Sequence, residues 1–467
     1  MALARRVITW ASVLSSLSAS CLTTPVPRTK GDAALVNDGG SVDGTVDAAE
    51  DARADVDARQ PLLFPPPGLT MNIRAAVVAD LNQDGKVDLL VANSNGDPTT
   101  QGFFVMLGRQ DGVGKYYDAY VKTGATVPCG LHVAQFGGSD ALDVLVFGPR
   151  LEPSDAASEE RSFVLGFNGT SPVTFDPPYT LETTRKVDPG QNGYCVIASG
   201  HFDGNDIRDV VVGDGSWVQV IMTAGWSSLA LGDSAFFRLF GTTDDGWFQR
   251  ATGAIGISSG ERRKDDILVT DYRGASWFIN DGSGNPWGFS RVVRNDAWPT
   301  VGPYFTAFHD LDKNGTPDVV GAAGTYVGAV VAGPTPDSTA GISYDQDTVG
   351  WQTGRIGGLV VDNFDANDRA EIVVIQNPRD DLPDEWQVQL IQNAYVKEQA
   401  SDAGITRALA SNNSRLLYVL PTDFRFGAMV RGDFNGDGKS EIVILDRSGR
   451  SLCLAPVLPD SITECTF

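Results

Sequence analysis

Three stretches of the chain repeat an arrangement suited to holding a hard cation. Oxygen-bearing side chains stand at positions one, three, five and nine: Asp80, Asn82, Asp84 and Asp88; Asp310, Asp312, Asn314 and Asp318; Asp433, Asn435, Asp437 and Glu441. Position six is Gly85, Gly315 or Gly438, and glycine there permits the tight turn. With a backbone carbonyl near position seven, such a set supplies the roughly six to eight oxygen ligands that calcium takes. Hydrogen-bonded Asx turns without metal are the alternative in runs rich in Asp and Asn. Against that, carboxylates gathered around one point repel unless a cation lies between them. An EF-hand is excluded, because its loop closes with a Glu at position twelve and lies between helices.

Two further stretches keep part of the set. His201 precedes Asp203, Asn205 and Asp209, and Asn363 precedes Asp365, Asn367 and Glu371, so both are weaker candidates for the same ion. The stretches ending at Asp143 and Asp266 have lost most ligands, and Arg262, Arg263 and Lys264 would repel a cation. In those two the last acid reads as a cap on a turn.

All seven stretches sit between apolar runs. The closing acids are Asp88, Asp143, Asp209, Asp266, Asp318, Glu371 and Glu441, spaced by 52 to 70 residues. After each comes a strongly apolar run, such as Leu89 to Val91, Val210 to Val212 or Ile442 to Ile444. Short β-branched runs bounded by Gly and Asp predict buried strands. Before each loop lies another run, often of small residues, such as Ala75 to Ala79 and Gly358 to Val361. Room remains for two more strands per repeat, filled in the first by Phe103 to Leu107 and Tyr116 to Val121, and in the fourth by Ser276 to Ile279 and Gly288 to Val293. The final repeat would use Ser451 to Leu454 and Ile462 to Phe467, and residues 61 to 73 are a further candidate strand. Seven four-stranded repeats predict an all-β propeller, which hides its sheet edges by radial packing.

The spacing, the flanking strands and the sevenfold recurrence resemble the FG-GAP (VCBS-like) repeats of integrin α-subunit propellers and of many bacterial surface proteins. The resemblance covers residues 73 to 467. It implies a seven-bladed propeller of four-stranded blades, calcium in the complete loops, and a binding role outside the cell. On this reading the propeller domain is 61–467.

The first 21 residues read as an export signal: Arg5 and Arg6, an apolar run from Val7 to Leu17, then Ser18, Ala19 and Ser20 before Cys21. This resembles a bacterial lipoprotein signal in which Cys21 is lipidated, although Leu17 lies one place further from the cysteine than in the usual pattern. Residues 22–60 carry no aromatic side chain and are rich in Ala, Asp and Gly, which predicts a disordered acidic tether. The expected location is the bacterial cell surface or outer membrane, through a lipid anchor, with secretion after ordinary cleavage of the signal as the alternative. A formal charge of -23 over 467 residues argues against nucleic acid as a partner, and 52 glycines fit many short strands and turns.

Beyond Cys21 there are four cysteines, an even number that points to disulfides in an exported protein. Cys453 and Cys465 fall on the two last predicted strands. Cys129 and Cys195 occupy equivalent places in adjacent repeats. Zinc is disfavoured, since no Cys-x-x-Cys or histidine cluster is present. The tripeptide Arg431-Gly432-Asp433 looks like an integrin-binding sequence, but Asp433 is already the first loop ligand. Asn-x-Ser/Thr sites at Asn168, Asn314 and Asn412 carry no weight in a protein of bacterial type.

Catalysis finds little support. The three histidines, His132, His201 and His309, belong to different repeats, and no phosphate loop or His-Glu-x-x-His stretch occurs. The tryptophans Trp217, Trp226, Trp247, Trp277, Trp287, Trp298, Trp351 and Trp386 are read as packing between blades or as faces for sugars and proteins. The sequence therefore reads as a non-enzymatic, calcium-binding adhesion propeller for an extracellular protein or glycan. An enzyme acting on extracellular polysaccharide, and a purely structural surface lipoprotein, are the rivals.

Overall fold

The computed structural model describes residues 69–455 outside a set of connecting segments. The longest of these are 150–161, 183–194, 223–234, 238–252, 281–288, 296–304, 332–339, 345–354 and 378–385, and the loop tips 137–140, 204–206, 259–263, 365–368 and 435–439 also lie outside. The signal, the tether, Cys21, Cys465 and the strand expected at Ile462 to Phe467 fall outside the described residues, as do Trp226, Trp247, Trp287, Trp298 and Trp351.

Every described element is a strand, and nearly all pairing is antiparallel. Each apolar run before a loop pairs with the run after it, and the register is the same at every loop. The closing acid lies opposite the last residue before the loop: Ala79 with Asp88, Ala134 with Asp143, Gly200 with Asp209, His309 with Asp318, Asp362 with Glu371, and Gly432 with Glu441. In the fourth hairpin Ile257 lies opposite Asp266, and the ladder runs one pair further to Ser258 and Asp265.

Four separate sheets have four strands each. The first is Ile73–Ala79, Asp88–Asn93, Gly102–Met106 and Ala119–Lys122; the second is Gly130–Ala134, Asp143–Pro149, Ser162–Phe167 and Tyr179–Glu182. The third is Val196–Gly200, Asp209–Asp214, Trp217–Ile221 and Ala235–Phe237; the fourth is Gly253–Ser258, Asp265–Asp271, Gly274–Asn280 and Phe289–Asn295.

The remaining repeats depart from seven separate four-stranded units. The fifth run, Phe305–His309, Asp318–Ala323, Tyr326–Val331 and Ala340–Tyr344, is joined to the sixth, Arg355–Asp362, Ala370–Asn377, Gln387–Ser401 and Asn413–Val419, in one nine-stranded sheet. The cause is Gln387–Ser401, a 15-residue strand with no Gly or Pro to stop it. Its second half pairs with Gly404–Ala410, which also takes the edge of Ala340–Tyr344 in parallel, through Ser343 with Ala408 and Tyr344 with Leu409. The seventh sheet has three strands among the described residues, Phe426–Gly432, Glu441–Asp446 and Leu452–Ala455.

The core explains why the strand after each loop is apolar without alternation. Successive side chains of a strand point to opposite faces, and here both faces are covered. In the first sheet Leu89, Val91, Phe104 and Met106 pack with Ala428, Val430, Val443 and Leu445 of the seventh. Their neighbours Leu90, Ala92, Phe103 and Val105 pack with Leu131, Val144, Val146 and Phe167 of the second. Equivalent clusters join sheets two and three, three and four, five and six, and six and seven. Between sheets four and five, Thr270 and Thr306 share a hydroxyl hydrogen bond of 3.2 Å. Cys129 and Cys195 form a disulfide with a Cα separation of 5.4 Å, tying the second sheet to the third just ahead of their first strands.

Candidate functional site

The loops are built around their closing acids, which are between 0 and 6 % exposed. In the six loops whose second residue is described, the carboxylate accepts the backbone N–H of loop position two: Leu81 to Asp88 (2.7 Å), Phe136 to Asp143 (2.8 Å), Phe202 to Asp209 (2.9 Å), Leu311 to Asp318 (2.7 Å), Phe364 to Glu371 (2.9 Å) and Phe434 to Glu441 (2.8 Å). In three sheets the other oxygen reaches the end of the third strand, where Gly108, Gly169 and Asn280 donate to Asp88, Asp143 and Asp266 at 2.8, 3.0 and 2.7 Å. Asp88 and Asp143 thus hold the loop's start and the third strand's exit together, and Asp266 holds that exit. For Asp143 and Asp266, which lack the other ligands, capping accounts for the residue.

Position two carries a second role that the sequence reading missed. Phe136, Phe202, Leu311, Phe364 and Phe434 are buried, so a recurring apolar residue anchors an otherwise polar loop. The signal was the recurrence itself: Leu or Phe follows position one in six loops.

The first and fifth loops share one backbone conformation. Gln83 and Lys313, at position four, have φ of 59°, and Gly85 and Gly315, at position six, have φ of 85° and 84°. Asp80 accepts the N–H groups of Asp84 (3.0 Å) and Gly85 (2.9 Å), and Asp310 those of Asn314 (3.0 Å) and Gly315 (2.8 Å). Position three does likewise, Asn82 accepting from Asp84 at 3.1 Å and Asp312 from Asn314 at 3.2 Å. Position five then accepts from position seven, Asp84 from Lys86 (2.9 Å) and Asn314 from Thr316 (2.7 Å). These nested Asx turns point the side chains of positions one, three and five into the loop.

In the fifth loop, ligand oxygens of Asp310, Asp312 and Asp318 all lie within 4.8 Å of one another. Burial, with the neighbouring Asp312 adding to it, raises the Asp310 carboxyl above its ordinary value against the pull of the Gly315 and Asn314 donors. Asp88 in the first loop is pushed up to about 7 by burial, with a smaller push from Asp80, while the N–H groups of Gly108, Leu81 and Asn82 pull it down. A divalent cation fits such a set, because it supplies the positive charge these oxygens lack.

The other candidate loops are described in part. Asp433 and Glu441 are placed, whereas Asn435 and Asp437 lie outside the described residues. Asp203 and Asp209 of the third loop are linked, the Asp203 N–H donating to Asp209 at 3.1 Å, but Asn205 lies outside. Asn363 and Glu371 of the sixth are placed, and Asp365 and Asn367 lie outside.

Neighbouring loops are also bonded to one another. The N–H of Asp265, position eight of the fourth loop, donates to the carbonyl of His201, position one of the third, at 2.9 Å. The same bond joins Val87 of the first loop to Asp433 of the seventh at 3.1 Å.

Outside the loops, His132 is buried and bonded to Ser199 Oγ at 2.9 Å, and Trp277 is 4 % exposed. Trp386 keeps part of its surface in solvent. Cys453 lies on the last described strand, but its side chain and Cys465 are outside the described residues.

Residues 72–107 match the FG-GAP repeat family; they span the first loop and its three flanking strands. No curated protein sequence matches. Among solved structures, the chain is similar to BBS1N in its complex with ARL6DN, at 11% identity and a TM-score of 0.42, over 84% of this chain and 93% of that one. It is also similar to an Agrocybe aegerita lectin described as recognising non-reducing terminal N-acetylglucosamine, at 15% identity and a TM-score of 0.41, over 77% of this chain and 88% of that one.

Proposed function

We propose that the chain is a calcium-stabilised propeller of seven FG-GAP-type blades, exported and held at a bacterial surface by a lipid on Cys21, where it binds a protein or glycan without catalysis. The carrying observation is the fifth loop, where one carboxylate oxygen each of Asp310, Asp312 and Asp318 lies within 4.8 Å of the others. Asp310, Asp312, Asn314 and Asp318 would hold one ion, and Asp80, Asn82, Asp84 and Asp88, in a loop of the same conformation, a second. Asp433, Asn435, Asp437 and Glu441 form the third candidate set. Calcium would neutralise the loops and stiffen the hairpins on which the blades depend.

Two observations support the ring. The first sheet packs on the seventh through a shared apolar cluster, and the loop-to-loop bond between repeats three and four recurs between seven and one. The disulfide between Cys129 and Cys195 supports an oxidising compartment. The deciding experiment is calcium titration of the protein by calorimetry and melting temperature, with and without Asp80→Ala, Asp310→Ala and Asp433→Ala together. Binding that raises the melting temperature and is lost in the triple variant upholds the reading. No heat and no shift would leave the loops as metal-free turns.

A further inference from the structure

The strands of the sixth, seventh and first sheets share an irregularity at their ends opposite the loops. In each, one extra residue interrupts the first ladder: Gly357 between Ile356 and Gly358, Gly427 between Phe426 and Ala428, and Arg74 between Ile73 and Ala75. All three lie five positions before the last residue of the strand, Asp362, Gly432 or Ala79. The first ladders of sheets two to five run without a shift. A bulged residue is released from pairing and its side chain re-aimed, and two of the three are glycine while the third is an exposed arginine.

What the bulges make room for is specific. A Cβ on Gly427 would meet the backbone of Arg447 at 3.0 Å, and one on Gly357 would meet the Trp386 ring at 2.6 Å and Phe426 at 3.2 Å. Arg447 is therefore drawn against the seventh sheet, and its backbone links its neighbours: Ile73 N–H donates to the Arg447 carbonyl at 2.8 Å and Arg447 N–H to the Arg425 carbonyl at 2.5 Å. Trp386 and Phe426 lie with ring centroids 6.1 Å apart over the glycine backbone, each with part of its surface in solvent.

Arg74, Arg425 and Arg447 are all exposed, and among the described residues none has a carboxylate partner. Arg74 feels burial first and the charge of Arg447 second, both of which oppose its protonation. Asp446, the nearest acid in sequence to Arg447, is buried and turned to the N–H of Arg425 and to Ser448. Two like charges brought together, those of Arg74 and Arg447, with Arg425 tied to Arg447 through the backbone, favour an anion in a protein of net charge -23.

We propose that this face, at the seam of sheets six, seven and one, binds the acidic sugars of a uronate-bearing polysaccharide. The inference rests on the chain being an exported binding propeller. Arginine forks match carboxylates in two parallel hydrogen bonds, and the Trp386 and Phe426 rings offer an apolar surface on which a pyranose ring can lie. The aromatic pair favours a sugar acid over an acidic peptide, whose side chains carry no flat apolar face beside the carboxylate. The site is remote from the calcium loops, at the other end of the same strands.

The test is calorimetric titration of the calcium-loaded protein at low salt with oligogalacturonate, neutral galactan, poly-glutamate and sodium sulfate in separate arms. Oligogalacturonate should bind and galactan should not. Arg74→Ala and Arg447→Ala should each weaken binding by about tenfold or more, with the melting temperature unchanged. Should Arg447→Ala alter folding, Arg425→Ala serves in its place, since that side chain is exposed. Absence of oligogalacturonate binding, equal affinity for poly-glutamate or for sulfate, or affinity untouched by the arginine variants would overturn the proposal. Binding of galactan alone would overturn it while leaving the propeller as a glycan binder. Loss of the calcium effect on melting would overturn the metal reading and leave this face to be judged on its own titrations.

Discussion

Arg431 of the seventh sheet is ion-paired with Asp362 of the sixth. Ser440 Oγ donates to the same carboxylate at 2.6 Å, so the last residue of one first strand is held by two residues of the next blade. This settles how Arg431-Gly432-Asp433 is used. Its arginine is engaged in the seam, and the carbonyl of Asp433 accepts the Val87 N–H of the first loop. The tripeptide belongs to the joint between sheets six, seven and one rather than to a displayed recognition sequence.

The pair is partly shielded, its side chains being 22% and 17% exposed. Arg431→Ala should therefore cost about 1 to 2 kcal/mol, more than a surface pair contributes. Asp362→Ala together with Arg431→Ala should recover part of that loss, because the second change removes the carboxylate left without its cation. Urea denaturation of the two single variants and the double variant measures the coupling; additive losses would mean that the pair contributes nothing of its own.

Reduction of the Cys129–Cys195 bridge should loosen the second sheet from the third. The bridge closes a loop with a sequence separation of 66, and removing it is expected to lower stability by about 2 to 4 kcal/mol. Cys129→Ser with Cys195→Ser, compared with the parent protein by denaturant unfolding without reductant, tests this. An unchanged midpoint would contradict it.

His132 gives the fold an acid-sensitive point. Burial, with the charge of Arg208 adding to it, lowers its pKa to about 4. The folded protein thus holds the ring neutral, while the unfolded chain protonates it near the ordinary histidine value of about 6.5. Between those values the unfolded state binds more protons, so the contribution of the neutral ring is present above about pH 6.5 and is lost as pH falls through about 4. The loss amounts to about 3 kcal/mol at most by linkage. Melting temperatures from pH 7 to pH 4 should fall less steeply in His132→Asn, once the calcium loops are kept saturated in both proteins. Parallel slopes would mean that the imidazole does not govern this acid limb.

How far this was legible in the sequence differs from element to element. The hairpins around the loops were visible because two strong signals coincide there, a β-branched run buried on both faces and a fixed acid at its start. Cys129 and Cys195 were visible as equivalents in adjacent repeats. The joining of sheets five and six was not, since nothing local distinguishes a long strand that pairs with its own sheet from one that leaves it; Gln387–Ser401 does both. The bulges fall on two glycines, Gly357 and Gly427, and on Arg74, so residue type alone does not mark them. Arg425 and Arg447 meet across the seventh hairpin, and Arg74 is brought beside Arg447 only when the last sheet meets the first.

The closing acid and the mid-loop acid of the fifth loop should separate structure from metal binding. Asp318 is buried and accepts the Leu311 N–H at 2.7 Å, so Asp318→Ala strands a buried donor and should cost about 1 to 3 kcal/mol even in chelator. Asp312 is solvent-accessible, and its carboxylate accepts the Asn314 N–H at 3.2 Å. Asp312→Ala should change stability in chelator by about 0.5 kcal/mol or less while lowering the stabilisation gained on adding calcium. The reason is that Asp312 stands beside Asp310 and Asp318, where its charge opposes Asp310 without an ion and would serve an ion between them. Melting curves of both variants in chelator and in calcium read the two effects apart. If Asp312→Ala loses as much in chelator as in calcium, the residue serves the turn alone, and the case for an ion in this loop falls with it.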